Sequence, residues 1–507
     1  LINYYFMNWE DDTLAQEKPL NIVWFCTDQQ RWDTIGCLGN PYIKTPNIDK
    51  FVSEGVTFTR AYTQAPVCTP SRSCFLTGRY PRTTKAFYNG NDNYSKDEKL
   101  VTKLLADEGY VCGLSGKLHL TSAQGRMENR TDDGYTYVQW SEHPNDDWLH
   151  GENCYQNWLK ENGLKWADIY GGKYTSMATW PPTPNPNFTG KTVGVPAEYH
   201  QTTWCVEKAI EFIEENRGND RPWLISLNPY DPHPPLDPPQ EYKDKLKVED
   251  MPLPLWKEGE LENKPPHQQR DFYIGGQEGQ AEPFPELTDY EKREHFRDYY
   301  AEIELVDDQF GRLMDYLDKS GERENTVVIY MSDHGEMNGD HGLYWKGAYF
   351  YEALTHVPLI ISCPSRILQN VKSNALVELV DLAPTLMELA GYEVPYFMQG
   401  KSLVPILTGT ADKDYHKDSV YSEFYHCLKG THEDIYATMY FDGRYKIVNY
   451  HGKEFGELYD LENDPCEFDN LWNKESYQVL KHELIKKNFD SAIMKNMDFS
   501  MHLINEY

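Results

Sequence analysis

Five short polar segments carry side chains able to do hydrolytic chemistry: Asp28-Gln29, Cys68-Thr-Pro-Ser-Arg72, Lys117-Leu-His119, Asp231-Pro-His233 and Asp333-His334. Carboxylates and imidazoles can hold a divalent cation or move protons, and guanidinium or ammonium groups can bind an anionic ester. Cys68 is the sharpest signal. Pro70 suits the first turn of a helix, which puts Cys68 at the positive end of a helix dipole with Arg72 close by, a place for a reactive group. Taken alone, a cysteine beside a turn is as readily a buried packing residue. A cysteine-phosphatase loop fails on spacing, because it needs a longer gap than the three residues between Cys68 and Arg72 or the four between Cys74 and Arg79.

The apolar pattern shows which elements must position these groups. Residues 20–27 (LNIVWFCT) form a nearly continuous apolar run with β-branched and aromatic members, the pattern of a strand buried on both faces, and Asp28 follows at once. A helix is expected over 47–54, with Asn47 able to cap it, Ile48, Phe51 and Val52 at helical spacing, and Gly55 past its end. The alternation continues with helix 102–108, strand 110–115, helix 198–216, strand 223–227, helix 289–319, strands 326–331 and 357–363, and helix 381–390. This order predicts an α/β fold with a mostly parallel sheet covered on both faces, whose ligands bind at the carboxyl ends of the strands. Asp28, Lys117, Asp231 and Asp333 all follow such ends. Any one of them could be a solvated turn residue; their agreement argues for a shared site.

Two stretches, 121–196 and 250–287, are rich in Gly, Pro, Asn, Asp and aromatics and fit the alternation poorly, as functional insertions do. Short strand-like runs at 419–425, 437–441 and 445–450, with Asp442-Gly443 between two of them, predict a small antiparallel sheet. The expected division is an N-terminal extension over 1–19, an α/β catalytic domain over 20–410 and a C-terminal α+β subdomain over 411–507.

The 507 residues carry 49 Lys and Arg against 80 Asp and Glu, a formal charge of −31, which argues against nucleic acid or an anionic membrane as partner. Such a surface fits salt tolerance and ordinary acidic solubility alike. No apolar run reaches the roughly 18 residues of a membrane span. Ten cysteines in this length are not a disulfide framework, and Cys26, Cys112 and Cys363 lie inside apolar strands, where a buried free thiol is the default. The chain begins without Met or a basic leader, so it is expected to be processed, trimmed or excised, with a module of a larger chain among the readings.

With these residues in view, the sequence resembles the type I sulfatases, the formylglycine-dependent branch of the alkaline phosphatase superfamily. Their Cys-x-Pro-Ser-Arg and Thr-Gly-Arg signature stands here at Cys68, Pro70, Ser71, Arg72, Thr77, Gly78 and Arg79. Gly116-Lys117-x-His119, Ser332-Asp-His-Gly-Glu-Met337, Gly339-Asp-His-Gly-Leu-Tyr-Trp-Lys346, Asp381-Leu-Ala-Pro-Thr-Leu386 and Glu457-Leu-Tyr-Asp-Leu-Glu-Asn-Asp-Pro465 also look like that family, in its order. The resemblance implies an alkaline phosphatase-like large mixed sheet and a Cys68 oxidised to formylglycine by a maturation enzyme. It further implies one divalent cation held by Asp28, Gln29, Asp333, His334 and the modified Cys68. Ca²⁺ is the family expectation. Gln29 and His334 depart from the more frequent Asp-Asp and Asp-Asn pairs and bring the chain closer to choline sulfatases and phosphonate monoester hydrolases, which makes Mn²⁺ the alternative.

By the same resemblance Arg72, Lys117 and Lys346 contact the formylglycine or the sulfate, and His119 deprotonates the hydrate. His233 is assigned as general acid, with Lys346 as its competitor. His341 is left out of catalysis as an orienting residue. The aromatics of the first insertion, from Tyr135 and Trp140 to Trp180, suit sugar rings or pack the insertion itself. Arg126, His267 and Arg270 are candidates to read a neighbouring sulfate or uronate. The expected activity is hydrolysis of sulfate monoesters on carbohydrate, such as ulvan or its oligosaccharides, by a periplasmic or extracellular enzyme. A phosphonate or phosphate diester hydrolase, a choline-sulfatase-like enzyme and a non-catalytic carbohydrate-binding protein are the rivals.

Overall fold

The opening apolar run forms the strand Asn21–Thr27, every residue of it buried. Side chains of a strand alternate between faces, so this one feeds two cores. Ile22, Trp24 and Cys26 pack on one side with Phe75, Leu105 and Leu386, while Val23 and Phe25 pack on the other with Phe212 and Phe310. The Phe25 ring stacks on Tyr330 at 5.4 Å and meets the edge of Phe310 at 5.3 Å, a contact whose truncation to alanine at Phe310 costs about 3–5 kcal/mol. The computed structural model describes residues 19–495 except 124–126, 143–152, 165–194, 280, 282, 429–431 and 433.

Among the described residues eight strands make the main sheet, in the order Val371–Ser373, Val56–Phe58, Leu359–Ser362, Thr326–Ser332, Asn21–Thr27, Trp223–Asn228, Val111–Gly116 and Tyr135–Trp140. Only Leu359–Ser362 runs against its neighbours. The parallel registers place Thr27 beside Ser332 and Gly116 beside Asn228, so four central strands end at one level. Helices Gln201–Asn216 and Asp289–Ser320 cover one face, and Cys68–Thr77, Val101–Asp107 and Leu382–Leu389 the other. The mostly parallel α/β sheet expected from the sequence is present, and no helix among the described residues is long and apolar enough to cross a membrane.

Several expectations need correction. Residues 135–140 lie inside the supposed insertion yet form the edge strand of the main sheet, parallel to Val111–Gly116. Residues 357–363 are not one strand: His356–Val357 joins a three-stranded sheet and Leu359–Ser362 the main one, with Pro358, which has no N–H to give, between them. Pro46, not Asn47, opens the Pro46–Ser53 helix, and the Asn47 amide donates to Asp307 Oδ2 at 2.8 Å on the long helix instead of capping. Of the aromatics singled out, Trp148, Trp166, Tyr170, Tyr174 and Trp180 lie outside the described residues.

Four antiparallel strands, Val420–Tyr425, Tyr436–Phe441, Tyr445–Tyr450 and Gly456–Asp460, form the small C-terminal sheet. The last of them, and the helix Gln478–Met494 packed on the sheet through Leu484, were not expected from the sequence. Buried Lys446 ties this sheet to the segment that follows Lys346, donating to Glu352 Oε1 at 2.6 Å, Glu467 Oε1 at 2.8 Å and the Phe350 carbonyl at 3.0 Å.

Candidate active site

The level strand ends bring the sequence-predicted groups together. The Asp333 amide donates to the Thr27 carbonyl at 3.3 Å, the Asp28 amide to the Asp231 carbonyl at 3.2 Å, and the Lys117 amide to the Asn228 carbonyl at 2.9 Å. Cys68 enters from the other side, as the first residue of the Cys68–Thr77 helix. Ser71, one turn on, donates its hydroxyl to the Asp333 carbonyl at 2.6 Å and so fixes the helix start against the strand end.

Cys68, Asp28, Asp333 and His334 are all fully buried, and one ligand atom from each lies within 4.8 Å of all the others. Cys68 Sγ is 3.1 Å from His334 Nε2 and 3.7 Å from Asp28 Oδ1. His334 Nδ1 lies 2.8 Å from the Gly335 carbonyl, which takes the ring proton there and leaves the Nε2 lone pair facing the cluster. Burial, with Lys346 adding, pushes the His334 imidazolium down, so the ring is neutral. Two carboxylates and a neutral imidazole around one buried point fit a divalent cation. Gln29 stands beside this set with its amide oxygen turned to Lys346 Nζ at 2.7 Å.

Cations surround the acidic pair. Arg72 Nε donates to Asp333 Oδ2 at 2.9 Å and Nη2 to Asp28 Oδ2 at 3.3 Å, while Lys117 Nζ donates to Asp28 Oδ2 at 2.5 Å. Burial alone would raise the Asp28 carboxyl; Lys117, His233, Arg72 and Lys346 hold it well below the usual range. Burial, with Asp28 adding, pushes the Cys68 thiol up, so the unmodified side chain stays protonated despite its place at the helix start. His233 is partly exposed at the rim. Its Nδ1 lies 2.5 Å from the Pro234 carbonyl and its Nε2 2.7 Å from Lys346 Nζ.

Three carboxylates escaped sequence reasoning. Glu128 accepts the amides of His119, Leu120 and Thr121 at 2.7, 2.8 and 3.1 Å, and the Trp140 indole at 3.1 Å, which holds His119 in a left-handed backbone conformation at φ 56°. Glu336 takes the Gln29 amide N–H and also the amides of Asn338 and Trp345, so it joins Gln29 to the Lys346 loop. Glu142, 3.9 Å from Lys117, is pushed up to about 8 by burial, against the pull of Lys117. Only Glu336 had a signal, as part of the Asp-His-Gly-Glu run.

The three substrate candidates differ in what surrounds them. His267 is buried, its Nε2 3.0 Å from the Ala348 carbonyl, and burial drives its imidazolium down to about 3; it props the loop after Lys346 as a neutral ring. Arg270 is exposed on the same Pro266–Ile274 helix, and Arg126 lies outside the described residues. His341 pairs with Glu260 at 2.9 Å and stacks on Tyr351, away from the cluster.

The family model described as sulfatase matches residues 20–392, and one described as N-sulphoglucosamine sulphohydrolase, C-terminal, matches residues 339–494. An arylsulfatase of Clostridium perfringens is 29% identical over 93% of this chain and 94% of its own. An N-acetylglucosamine-6-O-sulfatase of Bacteroides thetaiotaomicron is 26% identical over 93% and 86%, and an ulvan-active sulfatase of Formosa agariphila 28% identical over 93% and 81%. A phosphonate monoester hydrolase from Silicibacter pomeroyi superposes with a TM-score of 0.80 over 96% of this chain and 97% of its own at 24% identity, a likeness of fold. With one family model spanning more than two thirds of the chain and full-length sulfatases aligned along it, the protein belongs to the sulfatase family and is a sulfuric ester hydrolase.

Proposed function

We propose that this protein hydrolyses sulfate monoesters on carbohydrates, using Cys68 as formylglycine and one divalent cation bound by Asp28, Gln29, Asp333 and His334. The observation that carries this reading is the convergence of Cys68 Sγ with ligand atoms of Asp28, Asp333 and His334 inside 4.8 Å, walled by Arg72 and Lys117. A hydrated aldehyde would supply two hydroxyls on one carbon, one to attack sulfur and one to release sulfate by re-forming the aldehyde, and a cation held by these residues would supply Lewis acidity to the hydroxyl and charge to the sulfate oxygens. The thiol itself, buried and held protonated, is a poor nucleophile.

The chain's own groups have separable roles. Arg72 and Lys117 are fixed cations that orient an incoming sulfate, with Asp333 and Asp28 holding each in place. His119, set by Glu128, takes the proton of the second hydroxyl. With its Nδ1 proton given to the Pro234 carbonyl, His233 accepts from Lys346 at Nε2, so the two candidate acids share one proton. That proton goes to the leaving alcohol oxygen, which a sugar needs and an acidic phenol does not.

His334, a nitrogen donor, favours a transition metal such as Mn²⁺ over Ca²⁺. Carbohydrate as the substrate class is supported by the amino-sugar and ulvan-active relatives, and a polymeric substrate would be met in the periplasm or outside the cell. A second reading is a phosphonate monoester hydrolase, favoured by the Gln29 and His334 ligand pair and the likeness of fold. Turnover of sulfated oligosaccharides, including those of ulvan, is to be compared with turnover of phosphonate and phosphate diesters in Ca²⁺ and Mn²⁺. Sulfate turnover should dominate; phosphonate turnover higher by orders of magnitude would replace the first reading with the second.

A further inference from the structure

His233 lies on a proline-rich loop that leaves the Trp223–Asn228 strand, and both shoulders of that loop are fastened to one imidazole. His200 immediately precedes the Gln201–Asn216 helix and is fully buried. Its Nδ1 is 3.3 Å from Asp231 Oδ2 and its Nε2 3.7 Å from Asp237 Oδ1. The Thr202 amide donates to Nδ1 at 3.4 Å and the Thr202 hydroxyl donates to Asp231, so the ring meets the two carboxylates as ion-pair partners, the Asp237 contact at 3.7 Å lying beyond hydrogen-bond length.

The shoulders have further ties. Tyr230 donates its hydroxyl to Asp237 Oδ1 at 3.1 Å, and Glu302 of the long helix accepts the Asp237 amide at 2.7 Å. Between them, the His233 amide donates to the Tyr230 carbonyl at 2.9 Å, and the ring meets Lys346. On the near side the Asp231 carbonyl accepts the Asp28 amide. Asp231 and Asp237 are buried acids six positions apart, and one ring that gives a nitrogen to each draws them to a common point with His233 between.

The same three side chains could cage a cation, but the imidazole turns a different nitrogen to each carboxylate, 3.3 Å from Asp231 and 3.7 Å from Asp237, which suits a charged ring set between two acids. Although burial disfavours the charged ring, the two aspartates raise His200 above the ordinary imidazole range.

We propose that His200 is a positioning residue for proton delivery: by bridging Asp231 and Asp237 it fixes the loop that holds His233 against Lys346. The inference rests on the reading of His233 as proton donor to the leaving oxygen.

The test uses enzyme matured to formylglycine and compares an aryl sulfate of an acidic phenol with an alkyl or sugar sulfate. His233→Ala should lower kcat/KM far more on the alkyl ester. His200→Gln should show the same discrimination, roughly tenfold or more and mainly in kcat, and should add little in the His233→Ala background. Hydrogen exchange at the amides of Tyr230, His233 and Asp237 should rise in His200→Gln. If that variant folds poorly, Asp237→Asn, which keeps the ring and loses one side of the bridge, serves in its place. Equal losses on both esters in His200→Gln, with His233→Ala still discriminating, would overturn the inference alone. No discrimination in His233→Ala would take down both readings. A second tightly held metal ion per chain that is lost in His200→Gln would overturn the inference in favour of a cation site.

Discussion

Lys117 Nζ sits 2.5 Å from Asp28 Oδ2 with both side chains sealed from solvent, at the ends of two strands separated by one other. Removing one member of a buried pair costs about 3–5 kcal/mol when the other is left uncompensated, an upper bound here because Arg72 Nη2 still meets Asp28 Oδ2 at 3.3 Å. Lys117→Met should therefore lower the melting temperature in chelator, and a divalent cation at Asp28 should restore part of the loss. Melting curves in EDTA, Ca²⁺ and Mn²⁺ check this. Sulfate ester turnover should fall by at least about 100-fold, because the cation cannot also replace the ammonium that orients sulfate.

Lys346 shares its proton with His233 across 2.7 Å and also holds the Gln29 amide oxygen. Lys346→Gln keeps a donor for Gln29 but removes the ammonium whose proton His233 shares. Its kcat/KM on an alkyl sulfate should drop roughly 10²–10⁴-fold, with a smaller loss on an aryl sulfate whose phenol leaves unprotonated. A plot of rate against leaving-group pKa, steeper in the variant, is the measurement.

The imidazole of His334 should set the metal preference. In His334→Asn an amide oxygen replaces the nitrogen donor, and the ratio of Mn²⁺-supported to Ca²⁺-supported turnover should fall relative to the unaltered enzyme. Metal content after dialysis against equimolar mixtures of the two ions gives an independent reading.

Glu423 illustrates how burial away from the site shapes pH dependence. It accepts the Arg82 amide at 2.7 Å and the Tyr421 hydroxyl at 3.0 Å, yet burial pushes its carboxyl up to about 7 from an ordinary 4.5. Between those values the folded chain holds a proton that the unfolded chain releases. The contribution of Glu423 to stability is therefore complete below about pH 4.5 and lost as the pH rises through about 7. Glu423→Gln should gain stability relative to the parent at pH 8, on the order of 2–3 kcal/mol, and little at pH 5. Denaturant midpoints at the two pH values check the sign.

The central strands and their ends were legible because both rest on local pattern. An apolar run such as 20–27 has little choice but to be buried on both faces, and a polar residue directly after it must sit at the sheet's edge, as Asp28 and Asp333 do. The edge strand Tyr135–Trp140 was not legible, since only its two end residues are buried and it lies inside a stretch full of turn formers. Glu128 and Glu142 were equally silent. Their importance comes from contacts with residues 119–121 and 117, and no spacing in the chain encodes a fold-back of that kind. The burial of His267 against the Ala348 carbonyl was likewise not legible, since no local pattern shows which element will cover a histidine.

The most direct measurement is the mass of the peptide spanning Cys68, taken from protein produced with its maturation machinery, alongside sulfate ester turnover of the same preparation. The peptide should be lighter by about 18 Da, as expected when sulfur leaves and an aldehyde oxygen enters, and turnover should scale with the converted fraction. Full turnover from protein whose residue 68 is an unmodified thiol, or is replaced by alanine, would contradict the assignment of this side chain as the nucleophile.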